Sequence, residues 1–382
     1  MRTLIIYLYG ILFALGSSGN VVVLVVVGRL LTKIRRNPCP SRKELFVAHL
    51  YYYIISLSTV DLLVVSVLPL LLLDLHLGYW PFGWLVCKLY WLVENVNKFL
   101  SIAILTAMSV DRYLATCHPH RFAWVRTGKA IAAILLVCSL LSVALMWPAL
   151  VYSDLYVLKY EDLNSSVPMD DVTKCSMNNL MPEQVLHGFI ICLLVAGFLA
   201  PAGIIGFSYG NMLITIDGKY GRSDRFSSAT SQVNSQYLSI PIFSNGQSSP
   251  DTGTEASPNE RRRDLRQSRR RKAYQSVLRV VIFHFVCWTP YWLINLLPLF
   301  PSLQFYLLSR FPQVISCFML VHLLPYLNSS ANWVFYVLLN KEIRDSGFLQ
   351  PAQRFRASVR RNFSSKNMSV TFDSIESQKQ NF

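Results

Sequence analysis

The chain has 382 residues, of which 53% are hydrophobic and only 15% charged, and it carries a formal net charge of +15. A composition this apolar excludes an ordinary soluble domain and calls for repeated membrane crossings. The eight cysteines are scattered, with no close pair at zinc-ligand or redox-motif spacing, so they leave room for at most one or two disulfides.

The first apolar span covers residues 4–28 and holds one amide, Asn20, which reads as an interhelix hydrogen bond. The basic stretch RLLTKIRRNPCPSRKE follows and reads as a cytoplasmic loop. Span two, residues 46–73, places Asp61 at membrane depth. A carboxylate there costs several kcal/mol unless paired, hydrated or protonated, so it serves either a cation or a hydrogen-bonded hub. Pro69 is expected to kink this helix. GYWPFGW then makes a short aromatic turn at the opposite interface.

Span three, residues 84–116, strings separate chemistries along one helix: Glu94 near its start, Asn97 and Ser101 in the middle, and Asp111-Arg112-Tyr113 at the end. Eighteen residues separate Glu94 from Arg112, which returns both side chains to one face about 27 Å apart, close to a membrane thickness. CHPHRFAWVRTGK is again basic. Span four, residues 130–152, ends at Trp147-Pro148. Residues 153–185 form a polar loop in which six acidic side chains outnumber two lysines, which places it outside. Cys175 in that loop and Cys87 at the start of span three are the one pair set in an oxidising compartment. Asn164 heads a glycosylation sequon there.

Span five, residues 186–213, contains Pro201 and Tyr209. From 215 to 271 the composition turns to Ser, Gln, Gly and Asn and reads as a disordered linker, ending in RRRDLRQSRRRK. Such a run more often meets anionic lipid than nucleic acid. Span six, residues 273–300, is expected to bend at Pro290, two residues after Trp288. That position suits a side chain that couples a cavity to the swing of the helix, and equally a bulky apolar filler. Span seven, residues 314–339, is unusually polar, with His322, Asn328, Ser329, Ser330 and Asn332. NKEIRDSGF is expected to form a short interfacial helix, and 345–382 a Ser-rich, basic tail.

The sum is an all-α, seven-transmembrane-helix bundle over residues 1–344. The loops after spans one, three, five and seven are all basic and share one side. The N-terminus therefore lies outside and the C-terminus in the cytoplasm, and topology accounts for the positive charge with no nucleic-acid partner.

Taken together, Asn20, Asp61, Asp111-Arg112-Tyr113, Trp147, Pro201, Tyr209, Cys287-Trp288-x-Pro290 and Asn332-x-x-x-Tyr336, each in its own span, resemble the rhodopsin-like (class A) G-protein-coupled receptors over nearly the whole chain. NVNKFLSIAILTAMSVDRYLATCHP is most similar to peptide receptors of the somatostatin, opioid and allatostatin-C kind.

The resemblance implies a plasma-membrane receptor for a neuropeptide, coupled to a heterotrimeric G protein of the inhibitory class. Arg112 would be the switch, pairing with Asp111 at rest, with Tyr209 and Tyr336 closing beneath it. Trp288 would floor the ligand cavity, lined by Tyr291, Asn295 and His322. Glu94 would take the place of the aspartate that binds a ligand's cation, supported by Tyr326, and with the acidic loop this implies a peptide bearing Lys or Arg. The alternative for Glu94 is internal pairing with nearby Lys98. Asp61, Asn97, Ser101, Asn328, Ser329 and Asn332 would surround an allosteric sodium ion, the only cofactor implied. Receptor kinases and arrestin are expected partners of the Ser-rich linker and tail.

The runner-up functions are an amine receptor, which would carry aspartate in place of Glu94, and a transporter or channel, for which no repeated half or paired broken helices are seen. No nucleophile-base pair points to an enzyme. Three positions depart from the family: Trp333 stands where it has a proline, His284 where it has a phenylalanine, and Arg270 where some relatives place an acid to lock onto Arg112.

Overall fold

A computed structural model describes residues 2–158, 172–177, 181–215, 258–311 and 313–337. The sequon at Asn164, the linker from 216 to 257, and the expected interfacial helix and tail lie outside the described residues.

Helix α1 runs Arg2–Arg36, longer at both ends than the apolar core of its sequence. After a short loop, α2 (Arg42–Ser66) opens on a capping box. The Ser41 hydroxyl accepts from the Glu44 N–H at 3.2 Å, and the Glu44 carboxylate accepts from the Ser41 N–H at 2.7 Å. These contacts hold the Glu44 carboxyl below the usual carboxylate range. Helix α3 (Leu68–Leu77) follows directly and is capped by Gly78 in the left-handed conformation, at φ 86°.

The long helix α4 spans Gly83–Cys117. A 3-10 turn, Ala123–Arg126, leads to α5 (Gly128–Leu145) and α6 (Trp147–Tyr152). Helix α7 (Glu183–Leu194) passes through a π turn at Val195–Leu199 into α8, residues 200–215. Helix α9 is Pro258–Asn295, α10 Pro301–Arg310, α11 Gln313–Val321 and α12 Leu323–Val337.

Among the described residues six helical stretches are long and apolar enough to cross a membrane. The seventh crossing is made by α11 and α12 in succession. Each break inside a crossing sits just before a proline, which cannot donate to the carbonyl four residues back. Pro69 leaves the Val65 carbonyl, which takes the Val67 N–H instead. Pro148 leaves Ala144, which accepts from Met146. Pro325 follows the break between α11 and α12.

One expectation is corrected. The segment from Pro258 to Arg271, read as the end of a disordered linker, is the first part of α9. Its Arg, Lys, Gln and Glu residues are good helix formers, and its proline stands at the start, where the missing N–H costs nothing. The helical bundle also carries one short ribbon in the loop between α6 and α7. Residues Asp154–Leu158 (β1) and Val172–Ser176 (β2) pair as a two-stranded antiparallel ribbon.

Helix α4 packs against α2, α5, α6 and α9, while α12 closes the bundle against α1, α2 and α9. One apolar core unites Val23, Ile54, Leu105, Met108, Tyr209 and Tyr336, and a second surrounds Phe99, Met146 and Trp288. Small residues permit the closest approaches. A Cβ on Gly16 would lie 2.7 Å from Ser330 Oγ, and one on Gly19 would collide with the Trp333 indole. Gly19→Ala should therefore overpack the α1–α12 contact and cost about 1–3 kcal/mol. Gly28→Ala, where a Cβ meets nothing within 4 Å, should be neutral or slightly stabilising. Thermal melts of the purified chain in detergent would separate the two.

Candidate functional site

The chemistry follows α4 from one end to the other. At the Glu94 end the ribbon is pinned over the bundle. Cys87 and Cys175 form a disulfide with Cα atoms 5.6 Å apart, as expected. Lys174 pairs with Asp74 at 3.0 Å, Lys88 Nζ donates to the Leu150 and Ser153 carbonyls at 2.7 and 2.8 Å, and the Trp80 N–H donates to the Thr173 carbonyl at 2.8 Å.

Below the ribbon is a cavity of about 310 Å³. Five of the expected ligand contacts line it: Glu94, Tyr291, Asn295, His322 and Tyr326. Trp91, Met177, Leu186 and Phe189 supply an apolar wall that the sequence pattern did not single out. Trp288 does not line the cavity. It is 1% exposed, touches the lining residue Tyr291 edge-on at 5.4 Å, and stacks on His284 at 5.4 Å and 26°. It thus sits beneath the floor that Tyr291 provides. Tyr291 in turn packs edge-on against His322 at 5.4 Å, and Tyr326 against Tyr9 at 5.5 Å.

Glu94 is paired within the protein. Lys98 Nζ lies 3.1 Å from its Oε1, one turn further along α4, with side-chain exposures of 8% and 12%. The i,i+4 spacing was the signal for this pair.

Midway along, Asp61 is fully buried and accepts from Asn332 Nδ2 at 2.8 Å. Ser101 donates to Asn97 Oδ1 at 3.0 Å. Asp61 Oδ1, Asn328 Oδ1, Ser329 Oγ and Asn332 Oδ1 are buried with no hydrogen-bond partner among the described residues. Asn20 ties α1 to this region by donating to the Ser329 carbonyl at 3.0 Å. Asp61 and Asn332 are in contact and each keeps a buried oxygen open, the kind of donor a hard cation takes, so this pair fits a sodium ion.

At the far end Arg112 pairs with Asp111 at 2.6 Å, both side chains 5% exposed. A second cation, Arg126 from the 3-10 turn, approaches the other carboxylate oxygen at 3.6 Å. Nothing in the residue pattern marks that contact beyond the loop's positive charge. Tyr113 meets His118 through its hydroxyl at 3.2 Å. Tyr209 and Tyr336 are both buried in the larger apolar core.

Comparison with known proteins agrees with this arrangement. Residues 19–336 match the model of the "7 transmembrane receptor (rhodopsin family)". The chain is 30% identical to mouse somatostatin receptor type 3 over 362 residues, covering 93% of this chain and 70% of that receptor. It is 28% identical to neuropeptide receptor 18 of Caenorhabditis elegans over 349 residues, covering 88% and 65%. A probable G-protein coupled receptor of the same worm is 27% identical over 353 residues, covering 92% and 67%. The chain spans about two thirds of the length of these curated relatives. A membrane-spanning receptor scaffold is thus defined by fold, site and likeness together. The chain belongs to the rhodopsin family of seven-transmembrane receptors, which is a receptor family and not a family of enzymes.

Glu94→Gln would leave a buried ammonium without its counter-charge and should destabilise the protein by roughly 3 kcal/mol. Lys98→Met should do comparable damage, while the double substitution Glu94→Gln with Lys98→Met should recover most of the loss. Melting temperatures of the four proteins form the double-mutant cycle that tests the pair.

Proposed function

We propose that this chain is a plasma-membrane receptor for a peptide with a basic residue, and that it transmits binding to nucleotide exchange on a heterotrimeric G protein. The observation that carries the reading is the placement, on one helix, of a charged cavity at one end and the Asp111–Arg112 pair at the other. The somatostatin and neuropeptide receptors among its relatives support a peptide as ligand.

The ligand end lies outside and the Arg112 end in the cytoplasm, as the basic loops indicate. A basic side chain of the peptide reaches Glu94, and the apolar wall of Trp91, Met177 and Phe189 takes an aromatic or aliphatic neighbour. Pressure on Tyr291 passes to Trp288 through their edge contact. Pro290 interrupts the hydrogen-bond ladder of α9 at that level, so the far half of the helix can swing. The swing moves α9 away from α4, Arg112 leaves Asp111 and meets the G protein, and Tyr209 and Tyr336 close behind it. Likeness to somatostatin receptors favours the inhibitory class of G protein, and Ser-rich segments offer sites for receptor kinases and arrestin.

Asp61, Asn97, Ser101, Asn328, Ser329 and Asn332 would hold a sodium ion. Such an ion would supply the positive charge that Asp61 lacks and favour the resting arrangement.

Three outcomes follow for the full-length receptor in cells. Arg112→Ala should cut agonist-driven G-protein dissociation at least about tenfold, the loss of one charge-assisted contact. Asp111→Asn should raise basal signalling, because it releases both Arg112 and Arg126. Asp61→Asn should abolish the weakening of agonist binding by sodium; a variant that stays as sodium-sensitive as the unaltered receptor places the ion elsewhere. Screening basic peptides against cells, with cyclic AMP and G-protein dissociation as readouts, tests the ligand class. Activation only by peptides without Lys or Arg would defeat it.

A further inference from the structure

The cavity holds a carboxylate whose counter-ion belongs to the protein itself. Lys98 Nζ is 3.1 Å from Glu94 Oε1, reaches Asn95 Oδ1 at 3.2 Å, and lies 5.0 Å from the centroid of the Tyr291 ring on α9. Among the described residues that line the cavity, Glu94 and Lys98 are its only carboxylate and its only ammonium. The cavity is therefore dipolar and close to neutral as a whole.

That arrangement constrains what can enter. A ligand with one positive charge has to displace Lys98 from Glu94. It then leaves the ammonium with only Asn95 and Tyr291, neutral partners in a site largely closed to water. A ligand that carries an anion beside its cation meets no such obstacle. It replaces one internal pair with two intermolecular pairs, and the net charge of the site is unchanged.

We propose that Lys98 is a ligand-binding and specificity-determining residue, and that the cavity selects dipolar peptides, with a basic group for Glu94 and a carboxylate for Lys98. The Cβ atoms of an i,i+4 pair stand about 6 Å apart, so the two ligand charges belong on neighbouring side chains or on a basic residue next to a free C-terminus. This inference rests on the receptor reading above and specifies the ligand of that same cavity.

The test uses cells that express the full-length, surface-tagged chain, with G-protein dissociation as readout. The probes are short cyclic and linear peptides that combine one Lys or Arg with one Asp or Glu at every spacing. Each has a partner in which the acid is replaced by its amide, and the linear peptides come with free and amidated C-termini. The unaltered receptor should answer dipolar members with at least tenfold greater potency than their amide partners. K98Q should erase that preference, K98R should keep it, and E94Q should weaken the response to both kinds. Should K98Q fail to reach the surface, the double variant E94Q/K98M, in which neither charge is left unpaired, replaces it: it should answer each acid and its amide alike, and a double variant that keeps the preference overturns the role of Lys98.

Equal potency of dipolar and monocationic members on the unaltered receptor overturns the role of Lys98 and leaves the receptor reading intact. So does a K98Q receptor that keeps the preference. An E94Q receptor unchanged toward every basic member defeats cation recognition by Glu94, a failure of the earlier reading. Silence of the surface-expressed receptor toward the whole set also overturns the proposal, since every pairing of the two charges is in it.

Discussion

Charge neutralisation inside a low-dielectric bundle is the constraint on which the rest of this structure depends. Away from water a lone charge is expensive, and opposite charges in contact attract several times more strongly than in bulk water. The three carboxylates that matter meet that constraint in three ways. Glu94 takes a lysine from its own helix. Asp111 takes two arginines, one adjacent in sequence and one from the following turn. Asp61 takes only an amide, and its second oxygen has no partner among the described residues. The first two sites are satisfied by side chains that can exchange partners, which suits switching. The third has a built-in deficit of positive charge, which suits occupancy by an ion.

The helices that carry these groups are interrupted next to prolines. Pro69, Pro148 and Pro325 each release a carbonyl, and the chain reorganises into consecutive short helices around them. At Pro201 the accommodation is different. The π turn lies just ahead of it, where Gly197 lets Phe99 and Trp292 come close; a Cβ there would stand 2.9 Å from the Phe99 ring. Pro290 is absorbed inside α9 without a break, so Trp288, Pro290 and Tyr291 belong to one element. Packing between the π turn and α9 at this level is aromatic, through Phe198, Phe285 and Trp292. Such rings slide and rotate against one another more readily than interlocked branched side chains.

Much of this was legible in the sequence because membrane helices announce themselves by length and hydropathy, and because buried polar residues are rare enough to stand out singly. Asp61, Glu94 and Asp111-Arg112 needed no structure to be noticed. The ribbon of β1 and β2 did not show, since its strands are short and its pairing is set by the disulfide and by Trp80, contacts distant in sequence. Arg126 was invisible for a related reason: in a loop full of positive charge, nothing local distinguishes the one arginine that folds back onto Asp111. The helical start of α9 does not stand out because its charge and polarity match those of a disordered linker, although the residue types there have good helix propensity. Trp288 was placed one layer too high because motif spacing fixes a position along a helix and says little about which neighbour covers it.

Trp333 shows how a departure from the family pattern is accommodated. A proline at that position would free a carbonyl and bend the helix beside Asn332. Here the backbone of α12 stays helical from Leu323–Val337, and the helix break lies ahead of Pro325, nearer the cavity. The indole that replaces the proline needs room, and α1 supplies it at Gly19, with Gly16 allowing Ser330 to donate to the Leu12 carbonyl at 2.9 Å. Close packing of α1 on α12 therefore takes over the positioning that a proline bend would provide. Asn332 still reaches Asp61, so the polar centre depends on where α12 is held, and in this chain a glycine-tryptophan contact helps to hold it.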